Sequence, residues 1–209
     1  MNKKIISFYV LLFVFLQVQA QEKVMSASEV SLFQKALNNA VKVKTLTADF
    51  TQYKKVGYVK NELVSTGTFY VKNPDKLAWY YESPVTYSMV FNAKKMSIQE
   101  KGKTKTMDVS RSKQFENISL AIQGNIAGAV SDNNSFKTTY FQTDRQYILK
   151  LDPQDKASKK TMKQLVLCLD KVNHQVAEIK IIDANDGYTR FVLSNQKVNV
   201  PIEDRIFVL

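Results

Sequence analysis

Few side chains in this sequence have the chemistry of a catalyst. His174 is the only histidine, and it follows Asn173 in a turn between two strand-like runs. A Ser-His-Asp arrangement built on it would need that turn to fold back over a buried nucleophile. Cys168 is the only cysteine, which excludes an internal disulfide. Within Leu165-Val166-Leu167-Cys168-Leu169 its expected role is that of a small buried hydrophobe, not a reactive thiol. Carboxylates come in two close sets, Asp152 with Asp155 around Pro153, and Asp183 with Asp186 at a turn. A calcium loop or a glycosidase pair needs such residues, but acids beside Pro, Asn and Gly at chain reversals read first as turn formers. There is no GxSxG elbow, His/Cys metal pair or glycine-rich phosphate loop. We therefore expect no enzyme, no cofactor and no metal site.

What the chain does have is apolar and aromatic material in a regular order. One amphipathic helix comes first, with Ser28 as the expected N-cap and Val30, Phe33, Leu37, Ala40 and Val41 at helical spacing. After Thr45 the period changes to two. Alternating runs at 48–53, 66–71, 77–81, 88–91 and 96–99 predict short strands joined by turns such as Asn92-Ala93-Lys94 and Lys101-Gly102. A second helical stretch at 112–123 carries Phe115, Ile118 and Ile122, is broken by Gly124-Asn125, and continues as a short apolar piece from Ile126. Strands resume at 136–143, 147–152, 163–170, 176–183 and 188–197. Short connections favour an antiparallel sheet in one domain over residues 21–209. A sheet of about ten strands in so small a domain must curl. The expected fold is mainly β with helices (α+β): an unclosed, strongly curved barrel with its helical pieces across the mouth or inside.

The first twenty residues direct where that domain works. Lys3 and Lys4 precede an apolar run from Ile5 to Leu16, and Val18-Gln19-Ala20 ends in a small residue. This is the pattern of a cleavable secretory signal, too short to span a bilayer. Residue 21 is Gln, so no lipid-accepting cysteine opens the mature chain. The full chain has 30 Lys+Arg and 19 Asp+Glu; without Lys3 and Lys4 the balance is 28 against 19, an excess of +9. That favours anionic surfaces without naming one. Nucleic acid is not expected, since the lysines lack clustered Arg or an aromatic-flanked basic motif. Lys94, Lys95, Lys101, Lys103 and Lys105 fall on adjoining hairpins, and Lys156, Lys159, Lys160 and Lys163 on a later loop. Solvated strand edges explain both groups, and docking to an anionic surface is the alternative.

Three adjoining pieces carry a family resemblance. Ala48-Asp49-Phe50-Thr51-Gln52 stands ahead of Ser65-Thr66-Gly67-Thr68-Phe69-Tyr70-Val71. Then comes Lys72-Asn73-Pro74-Asp75-Lys76-Leu77-Ala78-Trp79-Tyr80-Tyr81-Glu82-Ser83-Pro84, and the hairpin Val90-Phe91-Asn92-Ala93-Lys94. In series, and with an export signal, they resemble the outer-membrane lipoprotein carrier protein family, LolA. The resemblance implies a half-barrel of about ten or eleven antiparallel strands with helices lidding an apolar cavity. It implies a periplasmic carrier that takes acylated lipoproteins, or another lipid, from an inner-membrane ABC-type release complex to an outer-membrane acceptor. A monomer is expected. The strand residues implied to face the cavity are Phe50, Phe69, Val71, Leu77, Trp79, Tyr81, Met89 and Phe91. The insert would add Phe115, Ile118, Ile122 and Ile126. Met96 and Met107, like Met89, suit irregular acyl chains. The residues alone also fit a solid packed core. An envelope lipid- or lipoprotein-sensing domain of similar fold is a further reading. The chain departs from the family in carrying Asn73 and Ala78 where many members carry Arg, one of which fastens the closed lid.

Overall fold

The computed structural model describes residues 21–39, 43–57, 59–109 and 136–209. The proposed signal, helix positions Ala40 and Val41, and the whole insert with Phe115, Ile118, Ile122 and Ile126 lie outside the described residues.

Period-two patterning produces one antiparallel sheet. Its strands are β1 (Lys23–Val24), β2 (Thr45–Lys55), β3 (Leu63–Lys72), β4 (Lys76–Ser83), β5 (Tyr87–Asn92) and β6 (Lys95–Glu100). They continue with β7 (Lys103–Asp108), β8 (Phe136–Gln142), β9 (Gln146–Pro153), β10 (Met162–Asp170), β11 (Val176–Asp183) and β12 (Tyr188–Val198). The spatial order is β1-β8-β9-β10-β11-β12-β2-β3-β4-β5-β6-β7, and β1 does not pair with β7. The barrel is therefore open, as expected, with twelve strands instead of about ten or eleven. The two additional strands, β1 and β7, are the two edges of the sheet. A solvated edge strand has no need of alternating apolar residues, and Lys-Thr-Lys-Thr-Met-Asp in β7 has little such alternation.

Every second residue of the strands faces inward. Leu46, Ala48, Phe50, Phe69, Val71, Leu77, Leu149, Leu151, Leu165, Leu167, Leu169 and Ile179 form one buried cluster together with Phe33. Phe33 belongs to α1 (Ala27–Asn39). It is 1% exposed, and its ring meets Tyr147 at 4.5 Å and Tyr140 at 6.1 Å. The helix thus lies on the concave face, against β8 and β9. Its start differs from expectation. Ser26, not Ser28, caps it: the Glu29 N–H donates to Ser26 Oγ at 3.3 Å, and the Ser26 N–H donates back to Glu29 Oε2 at 2.7 Å. This reciprocal box spans Ser26 to Glu29, so the S-x-x-E spacing outweighs the nearer serine. Those donors hold the Glu29 carboxyl down at about 2, and Gln142 Nε2 ties its other oxygen to β8 at 2.7 Å.

On the convex side, one apolar patch is covered by the chain's last residues. Phe207, in a 3-10 turn at Asp204–Phe207, is 1% exposed and packs against Ala78 and Val90. Lys72 and Lys76 both reach Asp204 Oδ1, at 2.8 and 2.9 Å, and keep that carboxyl near 2. Tyr80 OH donates to the Ile206 carbonyl at 2.8 Å, and Asn92 Nδ2 to the Phe207 carbonyl at 3.3 Å.

Gly67 occupies a position in β3 with no room for a side chain. A Cβ there would stand 2.0 Å from the Tyr80 carbonyl oxygen and 2.9 Å from Phe50 Cζ. Its missing side chain lets the Phe50 ring lie across β3, where the two residues are directly paired. Gly67→Ala must displace β4 backbone and is expected to cost about 2 kcal/mol or more, the upper part of the overpacking range. Urea unfolding measures this, and an unchanged midpoint would mean that β3 and β4 are not held so closely.

Candidate functional site on the concave face

Strand register lines the inward residues of β2 to β7 into cross-strand rows. One row runs Leu46–Val71–Leu77–Phe91–Met96–Met107, and the next Ala48–Phe69–Trp79–Met89–Ile98–Lys105. A third runs Phe50–Gly67–Tyr81–Tyr87–Glu100–Lys103. Burial falls along each row. Val71 and Leu77 are 0% exposed and Phe69 1%, whereas Met89, Phe91, Met96, Ile98 and Met107 are only half-buried. Trp79, at 8%, sits where sealed core gives way to accessible apolar surface.

The eight strand residues expected to line a cavity are thus all on the concave face, in two groups. Phe50, Phe69, Val71, Leu77 and Tyr81 are packed into the cluster with α1, and Trp79 lies at its margin. Met89 and Phe91 lie against that cluster, on the arm leading to β7. Aromatic contacts run through the first group and on to Tyr87 of β5. Trp79 meets Phe69 at 5.0 Å, Phe50 meets Tyr81 edge-on at 4.9 Å, and Tyr81 stacks on Tyr87 at 4.0 Å with 12° between planes. Next to Tyr87, an open groove of about 500 Å³ runs between the Pro84-Val85-Thr86 loop and the Lys101-Gly102 hairpin at the rim of the sheet, with Ser88 and Gln99 of the outward face in its lining.

One polar pair is set into this apolar surface. Tyr81 OH donates to Gln52 Oε1 at 2.8 Å. Gln52 is 9% exposed and Tyr81 4%. Burial, then the neighbouring Tyr87, push the Tyr81 hydroxyl well above its ordinary range, so it stays a neutral donor. The sequence placed Gln52 on the Phe50 face, but its partner in β4, 29 residues away, had no local signal.

The groups weighed as chemistry have structural work instead. Asp183 Oδ1 accepts from the N–H groups of Asn185 and Gly187, both at 2.9 Å, and Asp186 pairs with Lys163 at 2.7 Å. Asp155 caps α2 (Lys156–Lys159) by accepting from Ala157 and Ser158 N–H, and Asp152 accepts from Gln164 Nε2 at 2.8 Å. His174 sits in a turn at φ 58° with its ring over Tyr147. Cys168 is half-buried on the convex face between Ile148 and Glu178, and burial with the nearby Glu178 raises its thiol to about 12. Among the described residues no group of three metal-ligating side chains is found, and no helix is long and apolar enough to cross a membrane.

An open antiparallel sheet that curls its apolar face around a helix defines an open half-barrel. The family "outer membrane lipoprotein carrier protein LolA" matches residues 41–209, and the chain belongs to it. No curated protein matches the sequence. A solved LolA superfamily protein from Nitrosomonas europaea is 10% identical with a TM-score of 0.46, covering 86% of this chain and 97% of its own. Lipoprotein LppX from Mycobacterium tuberculosis is 9% identical with a TM-score of 0.42, over 83% of this chain and 96% of its own. The MucA/MucB complex from Pseudomonas aeruginosa gives 12% and 0.44, over 85% of this chain and 58% of the other.

Two outcomes check the site's internal chemistry. Tyr81→Phe removes the donor to the buried Gln52 Oε1 and should cost about 1–3 kcal/mol in urea unfolding.

 The same loss should be smaller in a Gln52→Leu background, because the acceptor is then gone as well. A full-sized loss there would show that the hydrogen bond is not the cause. Cys168 should alkylate far more slowly than an exposed thiol at pH 8, since a thiol raised to about 12 stays protonated there, and urea should restore the ordinary rate. Fast labelling of the folded protein would contradict this placement.

Proposed function

We propose that this chain is a periplasmic carrier that shelters the acyl chains of lipoproteins on its concave face and ferries them from the inner to the outer membrane. The observation that carries the reading is the graded concave face in a LolA family member. Half-buried Met89, Phe91, Met96, Ile98 and Met107 continue directly from a sealed core. Such a surface is costly to leave wet and is covered by lipid at a gain. The need for a carrier follows from the same arithmetic. Three acyl chains hold about 45 methylenes, and exposing them to water costs on the order of 35 kcal/mol. Methionine suits a cargo of variable shape, because its thioether adapts to irregular contacts.

Residues 1–20 would act as the export signal and 21–209 as the carrier domain. An inner-membrane ABC-type release complex would load it, and an outer-membrane acceptor would empty it. Cargo contact is assigned to Trp79, Met89 and Phe91 at the accessible end of the rows, with Phe50, Phe69, Val71, Leu77 and Tyr81 as the floor beneath. Phe115, Ile118, Ile122 and Ile126 keep their proposed place in the same site.

A second reading, a LolA-like paralogue carrying another lipid or acylated molecule, is favoured by positions 73 and 78. Ala78 is fully buried on the convex side under Phe207, facing away from the concave site. Asn73 Nδ2 donates to the Val43 carbonyl at 2.6 Å. Neither supplies the guanidinium that latches the lid in many family members, and a lysine does not reproduce its fork.

Trp79 is the only tryptophan, so its fluorescence reports directly on the site. Titration with a triacylated lipopeptide should shift its emission, and Met89→Glu should weaken binding at least tenfold while leaving strand content by circular dichroism near that of the wild type. Trp79→Ala should weaken binding in the same way, followed with an apolar probe. Lipopeptide that neither shifts the emission nor binds by any probe would remove the carrier reading. Mass spectrometry of lipid co-purifying with the protein from envelope extract separates the two readings.

A further inference from the structure

β7 distributes its side chains unequally between the two faces of the sheet. On the outward face Thr106 hydrogen-bonds Ser97 at 2.8 Å, Thr104 accepts from Gln99 Nε2 at 3.1 Å, and Asp108 stands opposite Lys95 in the register. The inward positions are Met107, Lys105 and Lys103, the ends of the three concave rows. Both lysines are exposed, and among the described residues neither forms an ion pair. Two convex-face cations offer a contrast: Lys150 is paired with Glu22 at 2.6 Å, and Arg190 with Glu178 at 3.3 Å. Glu100 stands opposite Lys103 in the register, which leaves Lys105 the less compensated of the two. The row that ends in Lys105 is otherwise apolar, through Ile98, Met89, Trp79 and Phe69.

A cation at one end of a continuous apolar track is complementary to an anion at one end of an apolar chain. We infer that the preferred ligand is an anionic amphiphile, with its head at Lys105 and Lys103 and its tail along the Ile98–Met89–Trp79 row. This rests on the second reading of the proposed function, a paralogue carrying another lipid or acylated molecule, and names the chemistry of that cargo at the same site. The geometry has the right scale. Four inter-strand steps of about 4.8 Å separate Lys105 from Phe69, roughly 19 Å, a span that an extended fatty acyl tail covers. Exposed cations each contribute modestly, so the head selects among amphiphiles while the tail supplies most of the affinity. A carboxylate or a phosphate head satisfies the same chemistry.

Binding of hexadecanoate, hexadecyl phosphate and hexadecanol, followed by Trp79 emission, tests this with tails of equal length. The wild type should bind at least one of the two anions about tenfold more tightly than the alcohol. Added salt should narrow that ratio. Lys103→Gln with Lys105→Gln should bring the anions to the affinity of hexadecanol and leave hexadecanol itself unchanged, and Lys103→Arg with Lys105→Arg should keep the preference. The ratio between the two anions identifies the head. Equal binding of all three by the wild type, or a preference that survives the glutamine pair, overturns the inference while the carrier reading stands. Failure of all three, hexadecanol included, overturns both.

Discussion

A sheet this wide has more apolar face than α1 can cover, and that mismatch governs the architecture. Inward residues of β2 to β4 and β9 to β12 solve it by meeting one another across the curl, with Phe33 of α1 inserted between them. Toward β7 the remedy runs out. The rows stay apolar as far as Phe91, Met96 and Ile98, but what lies on them within the described residues leaves these half-exposed. Core and candidate site are therefore a single surface, separated by degree of coverage. An apolar side chain such as Trp79 at that boundary can belong to both at once.

The convex face answers a different demand, that of remaining wet. It carries neutral hydroxyl and amide ladders on β6 and β7, and cations set over aromatic rings elsewhere, as with Arg190 above Tyr53 at 4.5 Å and Lys180 above Tyr188 at 4.5 Å. Where it does turn apolar, at Ala78 and Val90, the C-terminal segment closes over it with Phe207. Two lysines on one carboxylate, Asp204, fix that segment from the polar side.

The sequence made the interior of the sheet legible and left its margins obscure. All ten expected strands exist, because each is buried on one face and must alternate. β1 was invisible, and β7 was implied only by the Lys101-Gly102 turn and its hairpin, since an edge pairs on one side only and a pattern such as Lys-Thr-Lys-Thr answers to solvent. The capping box at Ser26 and Glu29 was present in the spacing but hidden behind a second serine two residues on. Of the site, alternation places Phe50, Phe69, Val71, Leu77, Trp79, Tyr81, Met89 and Phe91 on one face. It says nothing of how deep each lies, because depth is set by which strands end up in the middle. The Tyr81–Gln52 hydrogen bond and the fit of Phe207 over Ala78 join distant segments, and no local period encodes them.

The strand order has a consequence for how such a molecule comes into being. β2 through β7 are neighbours in sequence and can zip together as a meander, as can β8 through β12, but the two halves share strand pairing only where β12 meets β2. That seam unites residues well over a hundred positions apart, such as Leu193 with Phe50. A chain emerging from its N-terminus must hold its first half, greasy side uncovered, until nearly the final residues arrive. Closure of this long loop is the slow and vulnerable moment of its assembly. Until then the molecule is itself an insoluble passenger in want of an escort.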